Sequence, residues 1–230
     1  MVVRILGICA TPLKGETNTE ILLQATLDAA RSEGKDVATE VIRLADLNIK
    51  SGCTHCNWCL TRQTADKICA INDDMDKVVY RKIIEADALV FATPVYIGRM
   101  SWLLTAMIDR LRALLEGRYY GGWGPYGGAI ADKVVTGCSV AWFRHGGVET
   151  ALLNIMITAA MCGWVMVTAG MGFGVGGVSA APPGKTGACR DDRYAMSSAR
   201  SVGTALARMT RIIKAGKEVL RDAPAYVGLR

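Results

Sequence analysis

Five short runs rich in Val, Ile, Leu and Ala, at residues 2–9, 37–44, 88–93, 134–140 and 164–169, alternate with longer amphipathic stretches. Apolar runs of strand length set between segments of helical period predict a parallel sheet covered by helices on both faces. The helices are expected over 17–33, 75–86, 101–116, 147–162 and about 191–217, with Thr17 and Glu20 forming a capping box on the first. Five such units describe a doubly wound α/β sheet of strand order 2-1-3-4-5, in which ligands bind beyond the carboxyl ends of the strands. The cysteine-bearing segment 45–74 is too long for an ordinary connection and is read as functional. It and the Gly/Pro-rich segment 170–190 are taken as insertions in a single domain spanning 1–230, with 122–128 a local turn-rich loop.

Because residues 2–9 read as a strand and not as a charged region followed by an apolar one, a cytoplasmic location is expected. In that setting eight cysteines point to metal or redox chemistry before disulfides. Residues 185–230 carry ten Lys or Arg against four Asp or Glu, which accounts for the whole net charge of +6. Arg208, Arg211, Lys214, Lys217 and Arg221 recur every three or four positions, so a solvated last helix is expected, docking of an acidic electron donor being the rival, and no nucleic-acid partner is expected. No charged side chain lies between Glu149 and Lys185, but glycines divide that stretch into a helix-sized and a strand-sized piece, and no membrane span is expected.

Three loops fall at the carboxyl ends of the strands. In the first, Thr11, Pro12, Lys14, Thr17, Asn18 and Thr19 run into the first helix, where free amides, hydroxyls and a lysine suit a phosphate. The loop has neither the spacing of a nucleotide-hydrolysing phosphate loop nor the dinucleotide fingerprint, so a monophosphate such as that of FMN fits better. A capped helix start with no ligand is the competing reading. The second loop is Thr93-Pro94-Val95-Tyr96-Ile97-Gly98 and the third contains Ser139, Arg144, His145, Gly146 and Gly147.

Cys53, Cys56 and Cys59 stand two residues apart, and Cys69 follows after nine more. Thiolates at such spacing wrap adjacent irons of a cluster, as in ferredoxin runs. Zinc, which favours two separated knuckles, and thiols that bind nothing remain alternatives. His55 and Trp58 lie between the thiols and are placed to shield a cluster, while Cys9, Cys138, Cys162 and Cys189 are expected as buried apolar thiols.

With these loops in place, the chain resembles the iron–sulfur flavoprotein and NADPH-dependent FMN reductase family of the flavodoxin-like superfamily, over residues 3–216. The resemblance implies that the Thr93–Gly98 segment lies along the flavin ring and that the Arg144-His145-Gly146-Gly147 segment contacts its edge. It also implies a [4Fe-4S] cluster on Cys53, Cys56, Cys59 and Cys69, although the spacer before Cys69 is longer than the family shows. His145 is a candidate proton donor to flavin or substrate, against a structural hydrogen-bonding role. The expected activity couples one-electron donors such as ferredoxin to two-electron FMN chemistry on a small molecule. The alternatives are a cluster-free NAD(P)H-dependent FMN or quinone reductase, and a non-catalytic carrier, which would be smaller and acidic.

The stretch 148–162 has one charge, at its start, and no polar stripe. A helix apolar on all sides must cover its outer face, which predicts a homodimer or homotetramer, with cover from the cysteine loop or Gly-rich segment as the rival.

Overall fold

The computed structural model describes residues 1–122, 128–143, 145–168 and 186–220. Five parallel strands form the sheet: β1 (Val3–Cys9), β2 (Val37–Arg43), β3 (Ala88–Tyr96), β5 (Val134–Val140) and β6 (Val165–Met166). Their spatial order is β2-β1-β3-β5-β6, the doubly wound arrangement expected for five strands. A further two-residue strand, β4 (Arg99–Met100), folds back antiparallel on the end of β3 and pairs Tyr96 with Arg99. It lay outside the expected five because two residues carry no periodicity. Its turn, Ile97–Gly98, has φ of 49° and 72°, the double left-handed geometry that matches a right-twisted hairpin.

Central strands of such a sheet are covered on both faces, and β5 is buried at every position while the edge strand β2 is buried only at Val37 and Ile42. One face packs against α1 (Asn18–Arg31) and α7 (Arg193–Val219), through Leu22, Leu23, Leu27, Ala199 and Leu206. The other packs against α3 (Tyr80–Glu85), α4 (Trp102–Arg110) and α6 (Val148–Met161), through Tyr80, Leu104, Met107 and Ile155. Between them, 58–61 forms the short α2 (Trp58–Thr61) and 112–115 the short α5 (Arg112–Leu115).

Several elements differ from the sequence expectation. The helix expected over 101–116 is broken at Leu111 into α4 and α5. The helix expected from 75 opens with a wide turn at Met75–Val79, within which the Asp76 carboxylate accepts from the amides of Ile68 (2.9 Å) and Cys69 (2.8 Å). The last strand is confined to Val165–Met166, and the Gly/Pro segment from 169 to 185 lies outside the described residues.

The basic recurrence does form a helix, but its cations face partners in the same chain. Arg208 pairs with Glu33 (2.8 Å), Arg211 with Asp36 (2.6 Å), Lys214 with Asp87 (2.7 Å) and Lys217 with Asp132 (3.3 Å). Each such exposed pair contributes little by itself. Together they set α7 against the α1–β2 connection, through Glu33 and Asp36, and against the residues just before β3 and β5, through Asp87 and Asp132. On α6 the outer face is apolar and not covered by other described residues, with Leu153, Ile157 and Met161 exposed at 44%, 55% and 78%. No helix among the described residues is long and apolar enough to cross a membrane.

Candidate functional site

The three predicted flavin loops meet at the carboxyl ends of β1, β3 and β5. Two hydrogen bonds and a glycine contact bring them together. Ser101, which caps α4, donates from its hydroxyl to the Ala10 carbonyl (2.6 Å) and receives the Leu104 amide. Its own amide donates to the Thr93 hydroxyl (2.9 Å), so the first and second loops share one buried knot. The second and third loops touch where Gly147 faces Gly98: a Cβ at Gly147 would lie 2.5 Å from the Gly98 Cα. Ser101 was missed as a site residue, although a Ser directly before an apolar helical run is the ordinary cap signal.

In the first loop Thr11 is buried and accepts from the Leu13 amide (3.3 Å); Pro12 is half-buried and Lys14 exposed. The Thr17 hydroxyl caps α1 by accepting from the Glu20 amide (3.2 Å), while Glu20 itself pairs with Arg43 instead of closing a capping box. Asn18, expected at the phosphate, turns its Oδ1 to the amides of Gly187 (2.9 Å) and Cys189 (3.2 Å). That bond holds residues 187–189 over the start of α1, where Arg190 also pairs with Glu16 (2.6 Å). Thr19 is buried in the first turn.

Along the second loop Thr93 and Pro94 are buried, Val95 is half-buried, and Tyr96 and Ile97 are exposed at 42% and 96%. A β-branched residue at φ 49° is strained, and such strain gathers where a loop must hold a set shape. In the third loop Ser139 pairs in register with Thr93 and is fully buried. Trp142 and Phe143 are exposed and stack on each other, 5.4 Å between ring centres. The Gly146 amide donates to the Phe143 carbonyl (2.9 Å), His145 is exposed, and Arg144 lies outside the described residues.

The cysteine loop builds a second site on the α3–α4 side. Cys53, Cys56, Cys59 and Cys69 line one pocket together with Tyr80, Arg110 and Arg112. His55 and Asn57 take left-handed φ of 55° and 58°, which curls the chain between the first three thiols. The Arg112 guanidinium anchors that curl at His55 Nδ1 and Asn57 Oδ1, both at 3.0 Å, and the His55 amide donates to Cys53 Sγ (3.4 Å). The Asp76 bonds set the Cys69 backbone. Gln63, buried, spends both ends of its amide, donating to the Ile68 and Ala113 carbonyls and accepting from the Tyr119 and Tyr120 amides. Burial pushes the Cys59 thiol up, against the pull of Arg112. The other four cysteines are buried, and burial raises Cys9 and Cys189 to about 11 and Cys138 and Cys162 to about 12, so they are inert neutral thiols.

No three His, Cys, Asp or Glu side chains among the described residues converge tightly enough for one metal ion. A cluster asks less convergence, because its thiolates are shared among several irons. The fit of both groups is supported by a different observation. Among the described residues, two buried side-chain polar atoms lack a hydrogen-bond partner: Ser139 Oγ and Arg110 Nε. One stands in each site. Leaving such a group unpaired costs about 1–3 kcal/mol, so each asks for a partner from a bound group.

Sheet order, strand-end loops and the knot at Ser101 define a flavodoxin-like protein. Residues 3–175 match the model of the NADPH-dependent FMN reductase family. An iron–sulfur flavoprotein of Methanocaldococcus jannaschii is 32% identical over 216 residues, covering 92% of this chain and 99% of that protein. Another from Methanosarcina thermophila is 30% identical, covering 74% of this chain and 80% of the relative. The chain belongs to the iron–sulfur flavoprotein and NADPH-dependent FMN reductase family, and is a flavin-dependent oxidoreductase. Two solved structures share the fold at low identity. RosB, solved with 8-demethyl-8-formylriboflavin-5'-phosphate, aligns at a TM-score of 0.68 with 17% identity over 100% of this chain and 90% of its own. The NAD(P)H:quinone oxidoreductase of Methanothermobacter marburgensis aligns at 0.58 with 18% identity over 90% of this chain and 98% of its own.

Proposed function

We propose that this chain couples a one-electron donor of the ferredoxin type to two-electron FMN chemistry on a small molecule, through a [4Fe-4S] cluster on Cys53, Cys56, Cys59 and Cys69. The observation that carries the reading is the lining of one pocket by all four thiols, with two guanidinium groups beside them. The FMN phosphate would rest on the loop from Thr11 to Thr19, and the ring between Thr93–Gly98 and the segment from Ser139 to Gly147. When bound, FMN exchanges electrons singly or in pairs and a cluster exchanges them singly. The chain's part is to hold both groups and to shape the ring's surroundings. Ser139 offers its hydroxyl, Gly146 and Gly147 let the backbone come close, and His145 is exposed where a proton could pass to flavin or substrate. The uncovered stripe of Leu153, Ile157 and Met161 supports a homodimer or homotetramer.

A cluster-free NAD(P)H-dependent FMN or quinone reductase is the second reading, favoured by the family model that the chain matches. Anaerobic reconstitution with FMN, iron and sulfide separates the two. The proposal expects a four-iron signal in electron paramagnetic resonance after reduction. Cys→Ser at 53, 56, 59 or 69 should abolish or degrade that signal while FMN stays bound. FMN uptake with no iron retained would select the cluster-free reading, and an intact cluster in Cys69→Ser would remove Cys69 from the ligand set.

A further inference from the structure

Arg110 ends α4 with 1% of its side chain exposed. It forms a two-pronged pair with the equally buried Asp73, at 2.6 and 3.0 Å. Its guanidinium carbon lies 6.0 Å from the centre of the Tyr80 ring, and the Tyr80 hydroxyl donates to the Arg110 carbonyl (2.9 Å). Burial works against the charge, but the two-pronged Asp73 carboxylate holds it, and the guanidinium stays cationic. A buried ion pair is poor evidence for stability, because apolar residues of similar volume often serve as well. The placement of this pair is what is unusual. Arg110 lines the thiol pocket and Asp73 does not, so the cation faces the cysteines with its carboxylate behind it. Its Nε is also the buried donor left without a partner.

We infer that Arg110 tunes the cluster, its fixed positive charge raising the reduction potential of the iron–sulfur centre held by the four cysteines. The inference rests on the cluster reading above. Uptake of one electron from the donor makes a thiolate-bound cluster more negative by one charge, with no bond formed or broken. A cation held in a poorly solvated pocket favours that more negative form, and hydrogen bonds to the sulfurs act in the same direction. The Nε–H makes no bond to a thiol, so the fixed charge carries the effect.

The test compares the full chain with Arg110→Lys and with the double variant Arg110→Met/Asp73→Leu, all reconstituted anaerobically with FMN, iron and sulfide. Replacing both partners leaves no lone carboxylate in the core, which Arg110→Met alone would do. Cluster reduction is titrated potentiometrically by electron paramagnetic resonance and flavin reduction by visible absorbance. At the parent's cluster midpoint, the reduced-to-oxidised ratio in the double variant should fall about tenfold, a shift of about 59 mV to the negative for one electron. Flavin potentials should stay in place, and Arg110→Lys, which keeps charge but not the fork, should shift less. An intact cluster at the parent's potential in the double variant overturns the inference. So does a flavin shift as large as the cluster shift, or loss of the cluster from both variants, since each makes Arg110 scaffold alone. A parent chain that takes up no cluster overturns the cluster reading itself, an outcome distinct from an unshifted potential.

Discussion

Replacing Gly147 by Ala should separate two of the flavin loops, and its size can be worked from the backbone. The added Cβ would meet the Gly98 Cα at 2.5 Å, its carbonyl carbon at 2.8 Å and its oxygen at 2.9 Å. Carbon atoms rest at about 3.5–4.0 Å, so the hairpin tip or the start of α6 must withdraw by about 1 Å. Both sides of the contact are backbone, and no side chain can swing away. A misplacement of about 1 Å in a positioned site costs on the order of 100-fold. Gly147 also has φ 101°, and a left-handed backbone costs an L-residue about 1–2 kcal/mol. The second penalty falls on folding, the first on flavin binding. Gly98→Ala is the control: it has φ 72° but nothing within 4 Å of the added carbon. We expect Gly147→Ala to raise the FMN dissociation constant about 10- to 100-fold, or about 1.4–2.8 kcal/mol, by quenching of flavin fluorescence. Gly98→Ala should lower the melting temperature of the apoprotein by the left-handed backbone cost alone, about 1–2 kcal/mol, which marks how much of the loss in Gly147→Ala is backbone strain. If Gly147→Ala binds FMN as tightly as the parent, the two loops do not form one flavin site.

Three further outcomes are expected. Asn18→Ala strands the amides of Gly187 and Cys189 and should cost about 1–3 kcal/mol in urea unfolding as well as FMN affinity; lost affinity at unchanged stability would assign the side chain to the phosphate alone. Lys133 is buried beneath the carbonyls of Ile84 and Ala86, and burial lowers it to about 8. Its unfolded value is near 10.4, so the unfolded chain binds more protons between about 8 and 10.4, and stability should rise across that window by on the order of 3 kcal/mol. Lys133→Met should remove the rise in urea unfolding followed against pH, and an unchanged slope would refute the assignment. Ile157→Lys should break the assembly seated on α6, whereas a parent mass near 24.6 kDa by light scattering would show that no such assembly forms.

The parallel strands were legible because burial on both faces writes itself as unbroken apolar runs, as in residues 134–140. The grouping of the cysteines was legible for a similar reason: three of the four thiols that line one pocket sit close in sequence. What stayed hidden depends on partners far along the chain. Ser101 reads as a cap, but its second bond reaches Ala10, 91 residues away. Gln63 and Arg110 look like surface residues until Ala113 and Asp73 are set beside them. The wide turn at Met75–Val79 coincides with the bonds from Asp76 to the backbone of Ile68 and Cys69, which no local propensity encodes. The basic period of α7 announced a helix and invited a solvated face. Glu33 and Asp36, 175 residues before Arg208 and Arg211, give that face partners in the same chain, while Arg208 and Lys217 stay more than half exposed.

The two candidate sites are joined by a single short helix. Ser101 caps α4 at the knot of the flavin loops, and Arg110 closes it against the thiol pocket. Nine residues at 1.5 Å each put these ends about 14 Å apart. Between them Leu103, Leu104, Ala106 and Met107 are buried, so α4 cannot slide without opening the core. A site built on a packed helix keeps its geometry better than one built on loops. On the proposed reading the loops would supply the ligating atoms, and α4 the fixed distance between them. On that reading the length of α4 would set the separation of the two centres. The break at Leu111, which lets α5 turn away and place Arg112 beside His55 and Asn57, is what gives the cysteine loop a wall of its own.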